Sequence, residues 1–281
     1  MKLSFSSNAF TRFSVGEAVQ KIAAHGYHGV ELLADRPHLF CLEVTPKAIQ
    51  SLKKTLGACG LPVANINANT ACGYYDGVFW EPVFEPSLAN PDSQARRWRI
   101  QYTKASIDLA KVLGAANISI TAGRMVPGVR PAESLAILLD SMVEVIDHAQ
   151  ASGVRIGIEY EPGLLIENCA ELVRFLEKID SPWLGANLDI GHSHVAHEDL
   201  ASVVKALGEK IFHVHLEDIQ GYQHFHLIPG EGDLNFNQIL SALARQSYAG
   251  YVTVELYSYP QRPEAAARQA REYLIQFPYW Q

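Results

Sequence analysis

Two glutamates, an aspartate and a histidine stand at intervals that a repeating fold would bring together. Glu159 closes the β-like run VRIGIE, Asp189 closes LGANLD, His215 closes IFHVH, and Glu255 lies near the end of YVTVEL. The intervals from 159 to 189, 189 to 215 and 215 to 255 are each about one strand-plus-helix unit. Three carboxylates and one imidazole form a hard, oxygen-rich set. It suits one divalent ion, Mn²⁺, Mg²⁺ or Co²⁺, and Zn²⁺ can also be accommodated. An ion chelated by neighbouring carbonyl and hydroxyl oxygens would acidify the C–H between them and stabilise an enediolate. Glu159 and Glu255, arriving from different strands, would serve as ligands and as the catalytic pair that removes and returns the proton. Return on the opposite face gives an epimer, and return on the adjacent carbon an aldose–ketose isomer. Loss of a β-hydroxyl would make the enzyme a dehydratase of the keto-inositol or dehydroshikimate type. The ligand set alone does not separate these outcomes.

Convergence of the four requires that their strands lie side by side in parallel. Eight strand-like runs alternate with amphipathic stretches along the chain: 2–5, 29–33, 62–67, 117–121, 154–159, 184–189, 211–215 and 251–256. Between them apolar residues recur at helical spacing, as in Leu135, Leu138, Leu139, Met142 and Ile146. Thr45-Pro46 and Arg130-Pro131 mark helix starts, and Ser14 and Asn235 are expected N-caps. Glycines in ACGLPVAN, LGAANISI, ASGVRIGI, HGYHGVEL and YAGYVTVE mark expected helix ends. Eight such units in 281 residues predict a single-domain (β/α)8 TIM barrel over 1–281. The loop after the first run, SSNAFTRFS, lacks the GxGxxG of a dinucleotide fold.

Other residues surround the same point. Alternation sets Glu161 on the face of Glu159, His213 with His215, and Asn187 with Asp189. His213 reads equally as a satisfied interior histidine, and Glu161 as the partner of a nearby arginine. His192 follows Asp189 by three residues, within reach of a ligand over the barrel mouth. Seven of the eleven histidines, His224 and His226 among them, fall between 192 and 226. The glycine-rich PGEGDLNF (229–236) reads as a ligand-approaching loop or as a capped turn. A long irregular segment, 70–92, carries Tyr74, Tyr75, Phe79, Trp80 and Phe84. It is expected to act as a lid, with a subunit contact in a homo-oligomer as the alternative.

Composition narrows the classes. A net charge of −7 argues against a surface built to hold nucleic acid or anionic membrane. No apolar run approaches the ~20 residues of a bilayer crossing, and MKLSFSSNAF has no apolar leader core, so a cytoplasmic protein is expected. Four scattered cysteines without a CxxC pair do not suggest a disulfide framework.

The motifs IEYEPG, LDIGH, HVHLED, HFHLIPGEGD and VTVEL resemble the successive strand ends of the xylose isomerase-like barrel superfamily. They are most similar to its sugar phosphate isomerase/epimerase branch, which includes the ketose 3-epimerases. The resemblance runs from GYHGVEL to the eighth strand and is most specific after residue 150. It implies one divalent ion held by Glu159, Asp189, His215 and Glu255, with a small sugar or polyol as substrate. It also implies substrate contact by His192, the histidine three residues after the aspartate. His224, His226, Glu161, Asn67 and Trp80 complete the expected substrate-binding set. Related class II AP endonucleases hold three zincs through further histidines at earlier strand ends, where this chain has Asn67 and Thr121. The ketose 3-epimerases place an arginine after the seventh strand, where this chain presents His224 and His226.

Overall fold

The computed structural model describes residues 1–75 and 82–281. Its strands are β1 (Lys2–Ser6), β2 (Gly29–Leu33), β3 (Val63–Asn67), β4 (Asn117–Thr121), β5 (Arg155–Glu159), β6 (Leu184–Asp189), β7 (Ile211–Leu216), β8 (Asp218–Gln220), β9 (Gln223–Leu227) and β10 (Tyr251–Val254). Eight of them close into a parallel barrel in the order β1-β10-β7-β6-β5-β4-β3-β2, while β8 and β9 form a separate antiparallel hairpin. The fold is a (β/α)8 TIM barrel. Helices α1 (Val15–Ala24), α2 (Pro46–Cys59), α3 (Ser93–Leu113), α4 (Pro131–Ser152) and α5 (Cys169–Ile179) follow the first five strands. The short α6 (Ile190–Val195) and α7 (Leu200–Leu207) follow β6, and α8 (Phe236–Arg245) and α9 (Pro263–Leu274) complete the ring.

Alternation along the strands separates two interiors. Leu3, Phe5, Val30, Leu32, Ile66, Ile118, Ile120, Val214 and Val252 are fully or almost fully buried and join the apolar layer with the helices. Their neighbours Ser4, Glu31, Asn65, Ser119, Asn187, His213 and Thr253 are equally buried but polar, so the barrel lumen is a hydrogen-bonded core. Asn117 Nδ2 donates to Asn65 Oδ1 at 2.6 Å, and Asn65 Nδ2 to Ser119 Oγ at 3.0 Å. Paired buried polar groups avoid the penalty of unsatisfied ones and fix strand register.

The helix signals act as expected at most ends. Ser14 and Glu17 form a capping box, Thr45 Oγ1 and Asn235 Oδ1 accept from the first turns of α2 and α8, and Gly60, Gly114 and Gly153 take left-handed C-cap positions. The turn after α8 differs. The left-handed residue there is Ser247 (φ 57°), whereas Gly250 is needed for space, since a Cβ would lie 2.5 Å from the Tyr248 hydroxyl. Residues 229–236 form a capped turn. The backbone N–H groups of Gly230, Gly232 and Leu234 donate to the buried Asp218 carboxylate at 2.8, 2.9 and 3.1 Å. Among the described residues no helix is long and apolar enough to cross a membrane.

Candidate active site and metal centre

Parallel register delivers the four donors to one end of the barrel. Asp189 is level with His215 across β6 and β7, Glu159 terminates β5, and Glu255 follows β10, its N–H bonded to Leu216 O at 3.1 Å. One ligand atom from each of Glu159, Asp189, His215 and Glu255 lies within 4.8 Å of the others, and all four side chains are buried. His215 Nδ1 is 2.9 Å from Glu159 Oε2 and 3.3 Å from Glu255 Oε2. Asp189 Oδ1 accepts the His192 N–H at 2.8 Å, capping α6, while Oδ2 is buried without an amide or hydroxyl donor among the described residues.

Asparagines fix the two glutamates. Asn8 Nδ2 and Asn67 Nδ2 donate to Glu255 Oε1 at 2.8 and 2.9 Å. Asn69 Nδ2 donates to Glu159 Oε2 at 3.0 Å, and Asn187 Nδ2 donates to the same oxygen. Each carboxylate keeps one oxygen clear of these amides. Among the described residues no lysine or arginine pairs with these carboxylates; their cationic partners are histidines. Three buried carboxylates around one imidazole constitute a donor set that fits a divalent cation.

Charges in the site are strongly coupled. Burial alone would lower His215, but Glu255, Glu31 and Glu159 raise it well above the usual imidazole range. Burial likewise opposes ionisation of Asp189, yet His192, His226 and His215 hold it below the ordinary carboxylate range. Glu255 is pushed up to about 8, first by burial and then by Glu159, Glu31 and Asp189, with His215 opposing. Burial, reinforced by the Asp189 charge, raises Glu217 well above the carboxylate range.

A cavity of about 1030 Å³ opens over the donors, and Glu161, His192, His224, His226 and Asn67 line it. His192 Nδ1 lies 3.0 Å from Tyr160 O and His226 Nδ1 2.9 Å from Glu255 O, so both rings present Nε2 away from these carbonyls. His224 Nε2 sits 3.1 Å from His226 Nε2, and donor atoms of His192, His224 and His226 also lie within 4.8 Å of one another. The two later histidines sit on β9, not on a loop. Burial, then neighbouring histidines, lowers His224 to about 4 and His226 to about 3. Burial raises Glu161 to about 7; among the described residues its ion pair is with His224 at 3.8 Å, while Arg124 acts on it from farther away. His213 is an interior histidine: Thr253 Oγ1 lies 2.8 Å from its Nε2. Asn67 spends its amide on Glu255 and Glu31. In the 70–92 segment, Tyr74 packs edge-on against Trp98 of α3 at 4.9 Å, whereas Phe84 lines the cavity. Trp80 and Phe79 lie outside the described residues.

Four contributors have no advance signal in the sequence reading. Asn8 and Asn69 sit two residues beyond the ends of β1 and β3, a position that could have drawn attention to them. Glu217 lies two residues after His215 in HVHLED. Glu31, the lone charge in the apolar run GVELL, is fully buried in the lumen, 2.6 Å from His215 Nε2.

The model of the xylose isomerase-like TIM barrel family matches residues 19–277. Fructoselysine 3-epimerase of Shigella flexneri is 26% identical over 277 residues, spanning 97% of this chain and 96% of the relative. A crystal structure of a D-tagatose 3-epimerase-like protein superposes with a TM-score of 0.81 at 24% identity, covering 98% of both chains. The IOLI protein with a bound zinc atom gives 0.81 at 19% identity, covering 98% of this chain and 97% of the other. The chain belongs to the xylose isomerase-like TIM barrel family.

Proposed function

We propose that the protein is a divalent-metal-dependent epimerase of a keto-sugar, working through the enediolate left when the C–H beside the carbonyl loses its proton. The observation that carries this is the Glu159–Glu255 pair. Two buried carboxylates from separate strands approach the same imidazole nitrogen, and each is fixed by two asparagine amides through a single oxygen. Glu159, Asp189, His215 and Glu255 would hold the ion, whose contribution when bound is Lewis acidity toward the substrate's carbonyl and adjoining hydroxyl oxygens. One glutamate takes the proton, through Glu159 Oε1 or Glu255 Oε2 according to the substrate's configuration. The other, protonated beforehand, delivers its own proton from the opposite side, which inverts the carbon, and the pair is reset by proton exchange with solvent after the product leaves. His192, tied through Nδ1 to the Tyr160 carbonyl, offers Nε2 to a substrate oxygen. Glu159 and Glu255 line the cavity while remaining almost fully buried, so a bound substrate would cover both and limit water at the deprotonated carbon. The 3-epimerase activity of the Shigella relative supports the same reaction class.

The cavity is at the upper end of the ~300–1,000 Å³ range of ligand pockets, so it has room for a ketose carrying a substituent. The test is incubation with free ketoses, ketose–amine conjugates such as fructoselysine, and keto-inositols in heavy water with Mn²⁺ or Co²⁺, read by NMR. Deuterium should enter beside the carbonyl as an epimer appears, and chelation should stop both. Absence of exchange across the panel with every ion refutes the proposal, and an enone product instead would assign a lyase.

A further inference from the structure

We propose that Glu31 is the positioning residue of the metal-binding imidazole: its carboxylate determines that His215 turns Nδ1, and not Nε2, toward the ion. This rests on the metal-dependent function proposed above. The two ring nitrogens of His215 face different surroundings. Nδ1 points into the donor group, 2.9 Å from Glu159 Oε2, 3.3 Å from Glu255 Oε2 and 3.1 Å from Asn187 Nδ2. Nε2 points down the barrel lumen and lies 2.6 Å from Glu31 Oε2. An ionised carboxylate only accepts hydrogen bonds, so at this distance Nε2 carries a hydrogen; a hydrogen on Nδ1, 2.9 Å from Glu159 Oε2, is the one an incoming ion would displace. A neutral imidazole protonated at Nε2 has its lone pair at Nδ1, which is the form a cation binds.

Glu31 is itself held in place for this contact. Asn65 Nδ2 donates to Oε2 at 2.8 Å and Asn67 Nδ2 to Oε1 at 3.2 Å. The Asn67 amide also donates to Glu255 Oε1 at 2.9 Å, so one side chain couples the lumen carboxylate to a ligand carboxylate. Glu31 does not line the cavity and is 0% exposed, so substrate contact does not explain it. Burying a carboxylate is costly unless it is compensated, and among the described residues its cationic partners are His213 and His215. His213 is the weaker of the two, with Nε2 at 3.4 Å from Glu31 Oε2 and a closer neighbour, at 2.8 Å, in Thr253 Oγ1. Thr253 continues to Ser4 at 2.5 Å, a chain that runs away from the donors. A carboxylate behind a ligating imidazole fixes the ring's tautomer and orientation and raises its basicity. Loss of such a partner typically weakens metal binding 10- to 100-fold.

A purely structural Glu31 would alter stability and leave metal affinity alone, so the test reads the metal directly. Full-length wild type, Glu31→Gln and Thr253→Val are titrated with Co²⁺, following visible absorbance and heat. Glu31→Gln should weaken Co²⁺ binding roughly 10- to 100-fold. Thr253→Val, which disturbs only the His213 side, should stay within about twofold of wild type on the same scale. Glu31→Gln binding Co²⁺ as tightly as wild type overturns the proposal and leaves the epimerase reading standing. A wild type that binds no Co²⁺ overturns both. A second measurement needs no variant: ¹⁵N-histidine NMR of the zinc-loaded wild type should show His215 protonated at Nε2 and coordinated through Nδ1. The reverse assignment overturns the proposal even if Glu31→Gln fails to fold.

Discussion

Glu255→Gln separates what the donor group costs the fold from what it gives the chemistry. In the metal-free protein Glu255 ionises near 8, chiefly because of burial, instead of near 4.5. At pH 7 the folded chain therefore holds this carboxyl protonated while the unfolded chain ionises it, a penalty on the order of 3 kcal/mol. Glutamine keeps the shape and retains a carbonyl oxygen for the Asn8 and Asn67 amides that now reach Oε1 at 2.8 and 2.9 Å. Only the titrating oxygen is replaced. At about 2–4 °C per kcal/mol for a chain of this size, the metal-free variant should melt roughly 5 °C or more above wild type.

The sign follows from the raised folded pKa. The penalty is present above the unfolded value and vanishes below it, so the gap should close as pH falls from 7 toward 4.5. Metal reverses the order. An ion at 1,000 times its dissociation constant adds about 4.1 kcal/mol to wild type, more than the penalty, whereas the variant has lost one of four donors and gains little. Calorimetric melting in chelator and in Co²⁺, from pH 5 to 8, measures all three effects. A metal-free variant that melts below wild type at pH 7, or a gap independent of pH, would refute the argument.

The remaining predictions address other parts of the site. The double variant Glu159→Ala, Asp189→Ala should purify without metal where wild type carries about one ion per chain by elemental analysis; full occupancy would remove the assignment. His192→Ala should lower turnover at least about tenfold while leaving metal content intact, and a joint loss would place the histidine among the ligands. Asp218→Ala leaves the N–H groups of Gly230, Gly232 and Leu234 without their acceptor, and should cost about 2–4 kcal/mol in urea unfolding. An unchanged midpoint would show that water replaces the carboxylate.

The barrel and its donors are legible in the sequence for one physical reason. A parallel strand has a definite chemical end, so a residue closing each of four successive β-like runs must face its counterparts at one mouth. Glu159, Asp189, His215 and Glu255 obey that rule, and no knowledge of pairing between distant segments is needed to see it. Glu31 obeys a different rule. It is separated from His215 by 184 positions and meets it through the lumen, across strands that are not adjacent in the barrel. Nothing local to GVELL distinguishes a lumen carboxylate from one at a strand end. The β8–β9 hairpin is hidden for a similar reason: QHFHL alternates like a strand, but its histidines and the glycines that follow read as loop chemistry until Asp218 is seen to close the turn. The donors are therefore written in the order of the strands, whereas the groups that hold them in register are written in the closure of the barrel. Asn67 belongs to both sets, at the end of β3 and bonded at once to Glu31 and Glu255, and it links the legible half of the site to the half that only the closed fold reveals.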